Sequence, residues 1–386
     1  MRIPRTVWAL GAVSLLMDLS SELVHSLLPV FMVTVLGASM LAVGVVEGIA
    51  EATASIVKLF SGAISDRLGR RKPIVVLGYG LAAVSKPLFP LAASVPLVLA
   101  ARFMDRIGKG IRGAPRDALI ADVTPDGARG AAYGLRQALD TVGAVLGPLA
   151  AIGLMLLLAS DVRSVLWWAV PPALVAVVVL VVFVKEPEAV AALDRFSLKS
   201  FTRLGKACWT IVALGAVLTL ARFSEAFLVL RAQDLGVALA MVPIVLVVMN
   251  VAYTAIAYPA GVAADRGHRH ALLFWGLLAL IASDLLIAAT TSIPLLFLAI
   301  ALWGVHMGLT QGLLATLVAG AAPGNLRGTA FGVFHLVSGV AMLAASLIAG
   351  ALWDVYGAAW TFYAGAAFTA LALAGLLLVR PQAAAK

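Results

Sequence analysis

Charge is scarce in this chain of 386 residues: only 12% are Asp, Glu, Lys or Arg, against about 25% in an average soluble protein. Cysteine is nearly missing. Cys208 stands alone, which excludes an internal disulfide and makes a thiolate metal site untenable. There is no His-Glu-x-x-His pair and no strand-borne nucleophile motif. Gly108-Lys109-Gly110 lacks the spacing and the Ser/Thr of a phosphate loop. A metalloprotease, a hydrolase and an ATP-driven pump therefore find no support, and no cofactor or metal is expected.

What fills the space is apolar. Hydrophobic residues make up 62% of the chain, and mean hydropathy is +1.05. A soluble domain has too little interior to hide that much apolar surface. A cytosolic enzyme, a disordered protein and a nucleic-acid-binding module are excluded. Runs near 7–36, 41–64, 73–93, 95–121, 128–159, 163–184, 207–230, 238–263, 271–290, 294–320, 328–351 and 358–379 can each cross a hydrocarbon layer of about 30 Å as a helix. Such runs, unlike short alternating strands, exclude a β-barrel. The prediction is an all-α polytopic membrane protein of about twelve spans. The first run continues past Asp18 and Glu22, and is read as a membrane helix rather than a cleaved signal.

The excess of basic over acidic residues, net charge +9, is concentrated in alternate loops. One set carries Arg67, Arg70, Arg71 and Lys72; then Arg129; the stretch from Lys185 to Lys206; Arg266 and Arg269; Arg327; and Arg380 with Lys386. The other set is almost free of cations, with Arg163 and Arg231 as exceptions. The positive-inside rule places both termini in the cytoplasm, and a bacterial inner membrane is expected.

The halves repeat. Gly62-Ala63-Ile64-Ser65-Asp66-Arg67 recurs 199 residues later as Gly261-Val262-Ala263-Ala264-Asp265-Arg266. Pro125, Arg129-Gly130 and Gly134 recur 198 residues later as Pro323, Arg327-Gly328 and Gly332. A repeat in the same orientation predicts two six-helix bundles, residues 1–184 and 207–386, joined by a cytoplasmic linker over 185–206. The substrate is then expected between them near the midplane.

These residues resemble the major facilitator superfamily of secondary transporters. The loop Gly62-Ala63-Ile64-Ser65-Asp66-Arg67-Leu68-Gly69-Arg70-Arg71-Lys72 is similar to the family's signature loop, with a degenerate copy at Asp265-Arg266. The resemblance implies a conformational gate at Gly62, Asp66, Arg67, Gly69, Arg70, Asp265 and Arg266. Asp66 would pair with Arg112 or Arg116, or face the eleventh helix. Gly143, Gly147 and Pro148 resemble the family's antiporter motif, and Arg102-Phe103 its fourth-helix motif. A monomer working on a small-molecule substrate is implied, and so is a first helix that lines the central cavity.

Ionisable groups at membrane depth are costly and are functional candidates. Asp18, Glu22 and His25 share a face of the first span, and Glu47, Glu51 and Lys58 a face of the second. The fourth carries Arg102, Asp105, Arg106, Lys109, Arg112 and Arg116 within about a third of its circumference. Lys86 lies in the third. Two readings stand: a structural ion-pair network, or a hydrated cavity. In the second, the acids Asp18, Glu22, Glu47, Glu51 and Asp140 take up protons. His25, Arg102, Arg106, Lys109 and Arg136 bind substrate, the cations favouring an anionic group. Candidates in the second half are Glu225, Asn250, Trp303 and His306, with Trp303, His306 and Thr310 on one face and Arg222 free to pair with Glu225. The function expected is proton-coupled export of a small organic compound. Symport of an anionic metabolite or a siderophore-like chelate is the alternative. A membrane-embedded enzyme or a non-transporting receptor are the readings from other classes.

Overall fold

The computed structural model describes residues 3–68, 70–125, 128–186, 204–321 and 327–378, without the side chains of residues 62, 63, 66, 207, 265, 312, 315, 316, 319, 320, 327 and 328. Its regular structure is helical, as it must be where no water is available to the backbone. In chain order the helices are α1 (Arg5–Val30), α2 (Met40–Leu68), α3 (Lys72–Ser85) and α4 (Val95–Val123). Next come α5 (Arg129–Leu157) and α6 (Val170–Phe183, led in by Val162–Trp167). The second half holds α7 in two pieces (Lys206–Leu220 and Ala226–Asp234), α8 (Ile244–Asp265), α9 (Arg269–Ala289), α10 (Ile293–Ala321), α11 (Arg327–Tyr356) and α12 (Ala358–Leu378). Pro73, Pro96 and Pro171 lie in first turns, where the N–H that proline lacks has no partner to lose. Gly357, at φ +91°, makes the left-handed turn between α11 and α12.

Ten helices among the described residues are long and apolar enough to span a membrane. The two expected spans outside that set fail for visible reasons. α4 is 29 residues long but carries the charged stripe, and α7 is interrupted at 221–225.

Helices α1–α6 form one bundle and α7–α12 the other, with most of the linker, 187–203, outside the described residues. Between bundles, α2 lies along α11, α1 meets the second piece of α7, and α5 meets α8. Small residues allow the α2–α11 seam. A Cβ on Gly350 would stand 2.7 Å from Leu41 Cα, and one on Gly48 3.0 Å from Leu343 Cα.

The packing differs at the two ends. At the end away from the termini, a single apolar cluster joins the halves, from Leu27, Phe31 and Val43 to Phe227, Leu246 and Trp353. At the terminus end the cores are separate. Val7, Met17 and Tyr79 belong to a cluster of the first bundle, while Cys208 and Val318, and Leu273 and Leu376, belong to clusters of the second. One apolar cluster thus spans both halves at one end, while at the other the clusters stay within a half and the halves meet where α11 packs on α2, at Gly332 against Leu59 and Gly339 against Ser55.

The two cations that break the charge alternation are staples at the end where one cluster spans both halves. Arg163 donates to the carbonyls of Pro90 (2.8 Å) and Ala92 (3.1 Å) and lies over the Phe31 ring. Arg231 donates to the carbonyls of Ile287 (3.3 Å) and Thr290 (3.1 Å). Each ties off helix-end carbonyls that have no intrahelical partner.

Candidate functional site

The charged stripe of α4 runs from a dry region to a wet one. Arg102 Nη2 meets Glu47 Oε2 at 2.8 Å with both side chains 1% exposed. Lys86 Nζ meets Asp105 Oδ1 at 2.8 Å and donates to Ser21 Oγ at 2.9 Å. Neither pair has solvent around it, so each ion is compensated by its partner, as burial demands. Arg102 and Glu47 therefore sit in the positioning network and do not face an open cavity.

One turn on, Arg106 pairs with Glu51 at 3.2 Å, and Glu51 is 39% exposed. His25 Nδ1 lies 3.3 Å from Glu22 Oε2, and its Nε2 3.8 Å from Glu47. Lys109, a further turn along, is exposed and has no ion pair among the described residues. Glu22, Glu51 and Lys109, with His25 on Glu22, are thus the less buried part of the set.

Toward the terminus end a third group assembles. Arg136 holds Asp140 at 3.0 Å. Arg116 donates to Ser14 Oγ (3.1 Å), Tyr79 Oη (3.4 Å) and Asp117 (3.1 Å). Arg112 is buried over the Tyr79 ring, 4.7 Å from its centre. Asp18 of α1 packs against α5 at Gly143, one turn from Asp140. Gly143 makes this approach possible: a Cβ there would stand 2.5 Å from Leu15 O and 3.0 Å from Asp18 Cβ. Gly147 does the same beside Glu22, and Pro148 is buried in the same helix. The antiporter-like segment is therefore the surface on which α5 presses against the acids of α1.

In the second half the expected lining face turns inward. Trp303 is fully buried among Phe223 and its neighbours. His306 Nδ1 bonds the carbonyl of Gly276 at 2.8 Å, and Thr310 packs on Gly276. Trp303, His306 and Thr310 thus face the interior of their own bundle. Glu225 and Asn250 are half-buried. Arg222 and Glu225 form no ion pair within 4 Å, and both lie in the 221–225 break of α7. The only hint in the sequence was the polar run Arg222, Ser224, Glu225 inside an apolar span.

Of the expected gate, the side chains of Asp66 and Asp265, the helix contact at Gly62, and Gly69 itself lie outside the described residues. Arg67, Arg70 and Arg266 are exposed. The loop is tied down by Arg71 instead. Its Nε meets Asp122 at 2.5 Å, and its backbone N–H and that of Lys72 donate to Glu186. At the end spanned by one cluster Asp354 was missed by sequence reasoning. Its two carboxylate oxygens accept the N–H groups of Met40 (3.0 Å) and Leu41 (2.8 Å), so a residue of α11 caps α2 across the bundle interface.

That cap gives a prediction. Asp354→Ala removes two bonds that exist only while this end is closed, a loss of about 0.5–2 kcal/mol. In a Cys208→Ser background, a cysteine at buried Val43 is expected to react several-fold faster with an impermeant maleimide when Asp354 is Ala. Equal rates would show that the cap does not hold this end closed.

Comparison with known proteins agrees with this architecture. The sequence model of the Major Facilitator Superfamily matches residues 10–231 and 211–386. An uncharacterized MFS-type transporter of Methanocaldococcus jannaschii is 32% identical over 362 residues, 92% of this chain and 89% of the relative. The multidrug resistance protein MdtH of Edwardsiella ictaluri is 32% identical over 154 residues, 40% of this chain and 37% of that protein. In fold, the nucleoside transporter NupG superposes with a TM-score of 0.80 at 13% identity, covering 96% of this chain and 99% of that one.

Proposed function

Because the chain belongs to the Major Facilitator Superfamily, a family of multi-pass membrane transporters of small molecules, we propose that it is a proton-coupled secondary transporter that exports a small organic compound across a bacterial inner membrane. It works by alternating access: two bundles, joined by one apolar cluster at one end and with separate clusters at the other, rock about a central site. The alternation of basic loops supports a cytoplasmic position for the terminus end, and on this reading the site loads from that side.

The proton-coupling reading is supported by the packing of Asp18 of α1 against α5 at Gly143, one turn from Asp140. On this reading the two acids form a pair that holds one proton, and when it leaves the like charges separate. Asp140 lies beside Arg116 and Arg136, which receive its charge after release. Proton movement is thereby linked to the spacing of α1 and α5, next to Glu22 and His25. Export is supported by the antiporter-like glycines that set this spacing, and by the similarity of part of the chain to a multidrug resistance protein.

The test uses full-length protein in proteoliposomes. The compound is the one against which the protein best protects a drug-sensitive bacterium. Wild type is expected to move it against an imposed pH gradient, and to exchange labelled for unlabelled compound without one. Asp18→Asn is expected to retain exchange and lose gradient-driven movement. Full gradient dependence in Asp18→Asn would remove the pair from the coupling step. Uptake in the direction of proton flow would replace export by symport.

A further inference from the structure

We propose that Asp284 of α9 is a proton carrier in the second bundle: it holds a proton while the apolar cluster that joins the halves is closed, and gives it up when that cluster parts. This rests on the transporter reading above and adds to it a titrating residue remote from Asp18 and Asp140.

Asp284 lies within the span Arg269–Ala289 and is fully buried. Neither carboxyl oxygen has a hydrogen-bond partner among the described residues. The other two acids buried this deeply are compensated: Glu47 has Arg102 at 2.8 Å, and Asp105 has Lys86 at 2.8 Å. Asp284 has instead an apolar wall. A Cβ on Gly365 of α12 would stand 2.6 Å from Asp284 Oδ2 and 3.0 Å from Phe223 Cε1, so the carboxyl is pressed onto the α12 backbone beside the Phe223 ring. Hydroxyls that could solvate it are committed elsewhere. Ser283 donates to the Ala299 carbonyl at 2.6 Å, and Thr369 to the Gly365 carbonyl at 2.7 Å. Trp303, packed on Phe223, has an indole N–H with no acceptor, so it does not reach the carboxyl either.

No charge faces Asp284 from the helices around it. From α10, His306 is turned to the Gly276 carbonyl, two turns away along α9. α12 holds no Asp, Glu, Lys, Arg or His between Ala358 and Leu378, and its Tyr363 is exposed. From α7, Arg231 is paired with Asp234 and donates to the carbonyls of Ile287 and Thr290. Arg222 and Glu225 form no ion pair or hydrogen bond with Asp284 among the described residues. From α8, Tyr258 is exposed, and Tyr253 packs at the edge of the apolar cluster. Arg269 and His270 are exposed at the far end of α9 itself. A carboxylate here would be an uncompensated charge, so the neutral acid is the form this packing admits.

The same packing ties the proton to the closed end. Leu280 and Ile287, four positions before Asp284 and three after, share its face. Both belong to the cluster with Phe223, Trp303 and Phe362 that also takes in Leu27 and Phe31 of the first half. Asp284 therefore stands directly behind the second bundle's side of that contact. Its carboxylate needs water, and water enters only when the cluster parts. There the carboxylate takes a proton from a hydronium ion of the entering water, an O–H bond forms, and closure encloses the neutral acid. Opening reverses this: the O–H bond breaks and the proton returns to water. The open form binds fewer protons, so a rise in pH favours it.

The experiment labels Val43→Cys, buried in the same cluster, with an impermeant maleimide. Purified full-length protein in a Cys208→Ser background is used at about pH 6 and about pH 9, on either side of neutrality. Each rate is divided by that of the unfolded protein at the same pH, which removes the titration of the thiol. The normalised rate is expected to rise several-fold with pH when Asp284 is present, and to stay low at both values in Asp284→Asn. Asp284→Asn and Asp284→Leu are neutral and of similar size, so at least one should fold and melt no lower than the parent at about pH 9. The proposal is overturned if the rate does not depend on pH, or if the dependence survives in the folded neutral variant. It is overturned too if neither variant folds, since the buried group is then needed as an ion. Transport in proteoliposomes separates this from the wider reading. Gradient-driven movement unchanged in Asp284→Asn removes Asp284 and leaves the transporter. Labelling that follows expectation, with no gradient-driven movement in wild type, removes proton coupling and leaves Asp284 as the group whose proton holds this end closed.

Discussion

Gly147→Ala is expected to abolish gradient-driven transport and to lower the melting point. A Cβ at this position would stand 2.8 Å from Glu22 Cβ, 2.9 Å from Leu19 O and 2.9 Å from Leu23 N. Two of those atoms are backbone of α1 and cannot turn aside, so α1 and α5 must part. Overpacking of this kind costs about 1–3 kcal/mol. The functional loss exceeds the structural one, because the residue displaced is Glu22, which holds His25 at 3.3 Å. Gly143→Ala should act in the same direction through Leu15 and Asp18. Gly153→Ala, in the same helix with no atom within 4 Å of its would-be Cβ, is the control. It should raise stability slightly, since alanine is the better helix former by about 1 kcal/mol. If Gly147→Ala and Gly153→Ala behave alike in both melting and transport, the glycines are not what sets the α1–α5 distance.

The all-α membrane architecture and the crowding of charge on α4 were legible in the sequence, because each depends on composition or on helical period. Hydrophobic length fixes where a chain must cross. A spacing of three or four fixes which residues share a face. Neither says what covers that face. The stripe from Arg102 to Arg116 was read as one feature, yet Arg102 is dry against Glu47, while Lys109 is exposed. The difference lies in α2, which crosses near Glu47 and leaves Glu51 open. Trp303, His306 and Thr310 share a face as expected, but α9 occupies it, drawn in by Gly276. The α7 break was hidden because residues 221–225 sit inside an apolar run. A membrane span can unwind where side chains and neighbouring helices satisfy the freed backbone, and those neighbours are distant in sequence. Asp354 was invisible for the same reason: its partners are the N–H groups of Met40 and Leu41, more than 300 residues away.

Breaking the Arg102–Glu47 pair from one side is expected to cost far more than removing it whole. Arg102→Met leaves Glu47 buried and unpaired, and Glu47→Leu leaves Arg102 so. Each should destabilise by about 3–5 kcal/mol, enough to prevent purification of a folded protein. The double variant removes both charges and should recover most of that loss, because the desolvation of two ions disappears with their attraction. The Arg106–Glu51 pair is the comparison. Arg106 keeps Asp105 at 3.8 Å when Glu51 changes, and a glutamine amide oxygen can still accept from it, so Glu51→Gln should cost less than either single change at the dry pair. The double variant also separates two roles that stability alone confuses. If Arg102 only positions α4 against α2, the double variant binds ligand as wild type does once folded. If Arg102 touches substrate in the loaded state, the double variant is stable and ligand-blind. The first result is expected, because the pair is covered on every side, and a ligand could reach it only by opening the seam along which α4 and α2 are packed.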